Sequence, residues 1–303
     1  MTKVYYKRLI EGITVPAVIH NMGYYYINMP VYEDGSVDCW NRKSLEELKN
    51  ELARGWIVTE IPAEENISIH GLGQYAIKDA NWEHISDSYY DYIYDTVKKM
   101  NNNMTGLFEE TVEQKEKWKT RKAGWSTWKK PYKLRGNFGY TLVDGDSSSI
   151  FFRQENRWEL TSVIAYADET LMLGTDENLY SLDEINEMFA SGVLTSKIEG
   201  EFELFIPNYA RLTVEGNYQV HTEEKQKELE DMSAKISGNK SLHQICKEMY
   251  VDYLIYPTEP NRERLRIAYE NVPKHMRMYL GDMDTKDRDY QRILYHPEVK
   301  REV

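Results

Sequence analysis

Hydrophobic side chains recur in this chain with two periods, and the switch between them sets the elements it predicts. Positions 15–20, 24–32, 56–61 and 67–70 are β-branched or aromatic runs bounded by Gly, Asn, Pro and acidic residues, the pattern of strands. Between the second and third runs, Leu45, Leu48 and Leu52 fall on one helical stripe. Ser44 stands before that stripe as an N-cap, Glu47 follows three residues later to close a capping box, and Gly55 provides the stop. The same order returns further along. Runs at 150–154 and 158–166 precede a helix built on Ser181, Leu182, Glu184, Ile185, Phe189 and Gly192, and runs at 193–198 and 202–206 follow it.

The recurrence extends to identities. An offset of 137 positions lays 44–61 on 181–198 with six identities in 18 positions. A three-residue shift carries the match upstream, where Tyr32 and Asp34 meet Tyr166 and Asp168, and Glu11-Gly12 lies near Asp144-Gly145. Connections between the strands are too short for crossover helices, so antiparallel meanders with one inserted helix are expected. The fold class is therefore α+β: two related antiparallel-sheet modules over 1–80 and 138–218, joined by a helical connector and basic aromatic segment over 81–137. A helical region over 219–303 completes the chain.

The helical stretches carry their own signals. From Trp82 to Met100 apolar residues recur at Ile85, Tyr89, Tyr92, Ile93, Val97 and Met100, and 104–122 reads as a charged helix. Residues 222–237 form a charged helix ended by Gly238-Asn239. Ser241 opens the next, whose Leu242, Ile245, Cys246, Met249, Tyr250, Tyr253 and Leu254 face inward before Pro257 and Pro260 end it. Helices are also expected over 262–270 and 284–294.

Composition narrows the function. The 303 residues hold 50 acidic against 38 basic side chains, a net charge of −12 that argues against a generally basic nucleic-acid binder. No run of apolar residues is long enough for a membrane span, and the N-terminus lacks the apolar core of a signal peptide, so a cytoplasmic protein is expected. Cys39 and Cys246 cannot build a disulfide framework.

Candidate chemistry mostly dissolves. His243 and Cys246 have a spacing that suits two metal ligands, but no second pair exists and Cys246 lies on an apolar stripe. Cys39 shows no base beside it in sequence. His70-Gly71-Leu72-Gly73 has the outline of a phosphate loop without the βαβ context, so a hairpin turn is expected. Asp282, Asp284, Asp287 and Asp289 fail the EF-hand spacing. Neither a metal nor a cofactor is expected, and no catalytic residue is assigned.

One local anomaly stands out. Between Lys115 and Arg135 lie nine basic residues and one acidic, a charge of +8 that leaves −20 for the other 282 residues. Trp118, Arg121, Lys122, Trp125, Trp128, Lys129, Lys130, Tyr132, Lys133 and Arg135 form the candidate partner-binding set. Interleaved cations and flat aromatics suit a protein hot spot or self-association, a single-stranded nucleic acid, or a linker whose tryptophans pack on the protein. The 24 tyrosines, with Tyr24-Tyr25-Tyr26 and Tyr89-Tyr90 placing phenols on both faces of their elements, point towards interface use. These traits favour a non-enzymatic protein that binds and inhibits another macromolecular machine.

In size, acidity, lack of catalytic motifs and Asn-, Lys- and Tyr-rich composition the chain resembles phage-encoded anti-defence proteins, and among them the Gabija anti-defence family. That resemblance lies in whole-chain character and quotes no motif. It implies an oligomeric inhibitor that surrounds a bacterial nuclease–helicase defence complex and prevents DNA binding and cleavage. Bacterial immunity proteins, also acidic and α+β, which neutralise a toxin, share most of these traits.

Overall fold

The computed structural model describes residues 10–109, 134–135, 141–155, 157–174, 178–281 and 286–299. It is an α+β protein with an antiparallel-dominated sheet and helices towards the C-terminus. The chain divides into two compact units. The first takes residues up to 143 with 154–160 and 198–218, and the second takes 144–153, 161–197 and the chain from 219. This division differs from the module boundaries read from the sequence, because the segment 138–218 contributes to both units.

In the first unit, β1 (Gly12–His20) and β2 (Tyr24–Tyr32) form an antiparallel hairpin. Strand β3 (Val37–Asp38) pairs with β2, and β4 (Arg42–Lys43) with β3. Helix α1 (Leu45–Ala53) follows, then β5 (Ile57–Val58) on the outer side of β1, β6 (Asn66–Ile69) parallel to β2, and β7 (Gly73–Trp82) antiparallel to β6. Helix α2 (Ser86–Met100) ends this series. The short pair β8 (Leu134–Arg135) and β9 (Thr141–Leu142) comes next.

From residue 145 the series repeats element for element: β10 (Gly145–Gln154), β11 (Arg157–Tyr166), β12 (Leu171–Leu173), β13 (Leu179–Tyr180), α3 (Leu182–Ala190), β14 (Leu194–Thr195), β15 (Glu201–Ile206), β16 (Ala210–Gln219) and α4 (Thr222–Ile236). Each pairing has its counterpart: β10 with β11 and β14, β11 with β12, β12 with β13, a parallel contact of β11 with β15, and an antiparallel hairpin of β15 with β16. The register matches as well. Val18 and Ile19 face Val58 and Ile57 as Phe151 and Phe152 face Thr195 and Leu194.

Equivalent sequence does equivalent work at the helix ends. Ser44 Oγ accepts from the Glu47 N–H while Glu47 accepts from the Ser44 N–H at 2.9 Å, and Ser181 and Glu184 repeat the box with the latter bond at 2.7 Å. At the other end Gly55 and Gly192 take φ values of 72° and 71°. Their N–H groups reach Leu52 and Phe189, while those of Trp56 and Val193 reach Glu51 and Met188, a Schellman closure that requires the left-handed turn. Gly12 and Gly145 share a different duty, since each lies against the ring of a strand partner, Tyr32 or Tyr166.

Within the first unit the two series meet at β7 and β16, which are equivalent strands. Glu83 N–H donates to Tyr209 O at 2.9 Å while Lys78 meets Glu215 at 3.5 Å, so these neighbours run in opposite directions. The resulting order β2-β6-β7-β16-β15-β11 reads the same from either end.

The core of this unit is aromatic. Tyr89 and Tyr209 are fully buried, meet edge to face at 5.8 Å, and donate to the Pro16 and Val58 carbonyls, each at 2.6 Å. Many tyrosines are therefore core, including Tyr26, Tyr32 and Tyr75, whereas Tyr25, Tyr94, Tyr218 and Tyr256 are exposed. In the second unit, α5 (Leu242–Ile255), α6 (Glu259–Asn271), a 3-10 turn (Lys274–Tyr279) and α7 (Arg288–Tyr295) pack around Cys246, Leu265, Tyr269, Tyr290 and Ile293.

Several local expectations are corrected. Trp82 ends a strand, and the helix begins only at Ser86 with Ile85 as its exposed N-cap, because the Ser88 side chain closes that cap. Of the helix expected over 104–122, residues 104–109 are not helical and the rest lies outside the described residues. Leu254, expected to face inward, is 56% exposed, as are its neighbours Val251 and Ile255 at 51% and 60%. Pro260 opens α6 instead of ending α5, as fits its fixed φ and missing donor.

Candidate functional site

Trp118, Arg121, Lys122, Trp125, Trp128, Lys129, Lys130, Tyr132 and Lys133 lie outside the described residues, and Arg135 is described only as backbone in β8. The remaining candidates fall into place as structure. Cys39 and Cys246 are both buried, and burial pushes each thiol up to about 12, so both are protonated at neutral pH and poor nucleophiles. His243 bonds the Tyr279 carbonyl at 2.7 Å, and no group of three metal-ligating side chains occurs among the described residues. His70 to Leu72 form the β6–β7 turn. Asp287 accepts from the Tyr269 hydroxyl at 2.7 Å, while Asp282 and Asp284 lie outside the described residues.

The densest polar cluster went unnoticed in the sequence. It sits in the second unit between β10, α4 and the 3-10 turn. Lys225 is fully buried, and its ammonium donates to Ser148 Oγ at 2.6 Å and to both Glu228 oxygens at 3.0 Å. Ser148 Oγ also donates to Glu228, and the His275 Nε2 meets Glu228 at 2.7 Å. Burial pushes the Glu228 carboxyl up, but the His275 and Ser148 bonds and the Lys225 charge outweigh it and hold the group at about 2. Burial likewise pulls the Lys225 ammonium below the lysine range, opposed by Glu228. A lysine whose charge is held by a two-oxygen carboxylate contact is not a free base for Ser148, so the cluster reads as an ionic core, in which the buried His275 Nδ1 is left without a hydrogen-bond partner. Two neighbouring α4 carboxylates extend it: Glu224 accepts from the Lys274 N–H and Asp231 from the Leu242 N–H, both at 2.6 Å. The only advance signal was a lysine at 225 where the repeat places Tyr89.

The best candidate for recognition lies on the first unit. The Schellman turn after α1 positions Trp56, whose carbonyl accepts from the His20 N–H at 2.8 Å. Trp40, in the turn between β3 and β4, bridges Tyr25 at 5.7 Å and Trp56 at 5.6 Å between ring centroids. Beside them His20 and Tyr24 stack at 4.6 Å, and the Arg54 guanidinium stands 5.9 Å from the Trp56 ring centre. Trp40 is 50% exposed and Met22, at the β1–β2 tip, is wholly exposed. Both are large apolar residues held at positive φ, 72° and 55°, a conformation such residues rarely adopt.

The repeat shows that this ridge is not a requirement of the fold. Glu159 stands where the first series has Tyr25, Val193 where it has Trp56, and Ser191 where it has Arg54. The same backbone plan is built there without these rings.

A family model described as a domain of unknown function (DUF7638) matches residues 1–104 and 134–240, and another (DUF7639) matches 241–302. The chain belongs to the DUF7638 family, with a DUF7639 segment at its C-terminus. No curated protein and no solved structure matches it. No helix among the described residues is long and apolar enough to cross a membrane.

Proposed function

We propose that this chain is a non-enzymatic protein-binding inhibitor that recognises a macromolecular partner through the Tyr25–Trp40–Trp56 ridge. The observation that supports this reading is the ridge itself, with Tyr25 and Trp40 exposed, present on one repeat and absent from its structural twin. Trp, Tyr and Arg dominate protein-binding hot spots, and a half-exposed indole kept at positive φ, that of Trp40, fits recognition better than packing. The whole-chain resemblance to phage anti-defence proteins suggests a bacterial nuclease–helicase defence complex as target, met in the cytoplasm by a self-associating inhibitor.

Affinity capture from a bacterial lysate with the wild type and a Trp40→Gly/Trp56→Val variant tests the reading. A stable protein complex held by the wild type and lost by the variant is expected. Identical captures, or a catalytic turnover that survives ridge removal, would overturn it.

A further inference from the structure

We propose, resting on the protein-binding reading above, that the ridge accepts cations: the partner presents arginine or lysine side chains to the faces of Tyr25, Trp40 and Trp56. The ring geometry is the first reason. Trp40 stands at 81° to Trp56 and at 54° to Tyr25, so the faces point in different directions. Separate charged side chains can approach faces of any orientation.

The second reason is that cations already use rings of this kind in the same unit. Arg54 stands over Trp56, Arg42 lies 3.8 Å from the Phe108 ring centre, and Lys49 lies 5.5 Å from that of Tyr90. Charge is the third. The whole chain carries −12 with its basic 115–135 stretch included, and among the described residues of this unit Glu46, Glu60, Asp87, Asp91 and Asp95 are exposed. Such a field draws a basic protein surface in and repels a phosphate backbone. The partner is therefore a protein with a cationic face.

Selection of displayed random short peptides on the full chain, followed by counter-selection on Trp40→Gly/Trp56→Val, tests this. Val193 stands at the place equivalent to Trp56, and glycine suits the φ of Trp40, so the variant keeps the backbone plan. Tyr25→Glu, which copies the residue the second repeat carries at Glu159, serves as a second variant. Peptides richer in Arg and Lys than the input, which bind the ridge variants about tenfold more weakly and weaken with salt, are expected. Ridge-dependent peptides without cations would overturn this inference and leave the protein-binding reading standing. Enrichment indifferent to the ridge, or none, would overturn both. Ridge-dependent binding of a random single-stranded oligonucleotide would also overturn both, in favour of nucleic acid.

Discussion

The two repeats share a backbone plan and differ in what fills it. The core between helix and sheet is aromatic in the first, where Tyr89 reaches the Pro16 carbonyl, and ionic in the second, where Lys225 is held by Ser148 and Glu228. The strand end near Trp56 carries exposed rings in the first and Val193 with Glu159 in the second. Features common to both repeats, such as the capping boxes and Schellman turns, are what the fold demands. Features confined to one are free to serve something else. The ionic core serves the C-terminal helices, which meet α4 at Glu224, Glu228 and Asp231. The rings instead pack on one another and on Arg54, with Trp40 half exposed and Trp56 half-buried.

The sharpest way to break the comparison is to remove one partner of the ionic core. Glu228→Ala leaves the Lys225 ammonium buried without its counter-charge and should cost about 3–5 kcal/mol, read from urea unfolding. Tyr92→Ala, at the equivalent place on α2, is half-buried and removes no charge partner, so it should cost clearly less. A similar loss for both would show that the second core is not ionic in its energetics. The same residue sets a pH dependence. Because the folded Glu228 carboxyl is held at about 2, below its ordinary 4.5, its contribution is present above pH 4.5 and fades as the pH falls towards 2. Glu228→Ala should flatten the acid limb of the stability curve in that window, and an unchanged limb would rule the linkage out.

Next in size is the close glycine contact. A Cβ at Gly12 would stand 2.6 Å from the Tyr32 ring and 2.7 Å from the Val31 carbonyl, whereas at Gly145 the nearest approach is 3.1 Å to the Tyr166 ring. Gly12→Ala should therefore cost about 1–3 kcal/mol and Gly145→Ala less, compared by thermal unfolding. Equal costs would mean that the Tyr32 ring yields as readily as that of Tyr166. Smaller again, and alike in both repeats, are the caps. Ser44→Ala and Ser181→Ala should each cost about 1 kcal/mol, and a clear inequality would mark one helix as held by other contacts.

Much of this fold was legible because its signals are local. A capping box, a Gly stop and a stripe of Leu45, Leu48 and Leu52 act within one helix, and they recur at Ser181 for the same reason. What the pattern could not show depends on contacts distant in sequence. Cys39 reads as a free thiol until burial settles it as core, and Lys225 reads as a surface charge until Ser148, 77 positions away, meets it. Trp40 and Trp56 belong to separate turns, 16 positions apart, and no helical or strand period links them. Charge density drew attention instead to 115–135, most of which lies outside the described residues.

The smallest expected effect on stability is also the one that separates fold from recognition. Trp40→Gly removes the indole contacts with Tyr25 and Trp56 but relieves a bulky residue of φ 72°, a conformation whose strain is worth about 1 kcal/mol or more and which glycine adopts freely. The two terms oppose, so the unfolding midpoint should move by no more than about 1 kcal/mol equivalent in either direction. Loss of partner capture at that near-constant stability would show that the rings are kept for binding. A variant that unfolds easily would instead make Trp40 a structural plug for the β3–β4 turn, and the contrast between the repeats would then lie in packing alone.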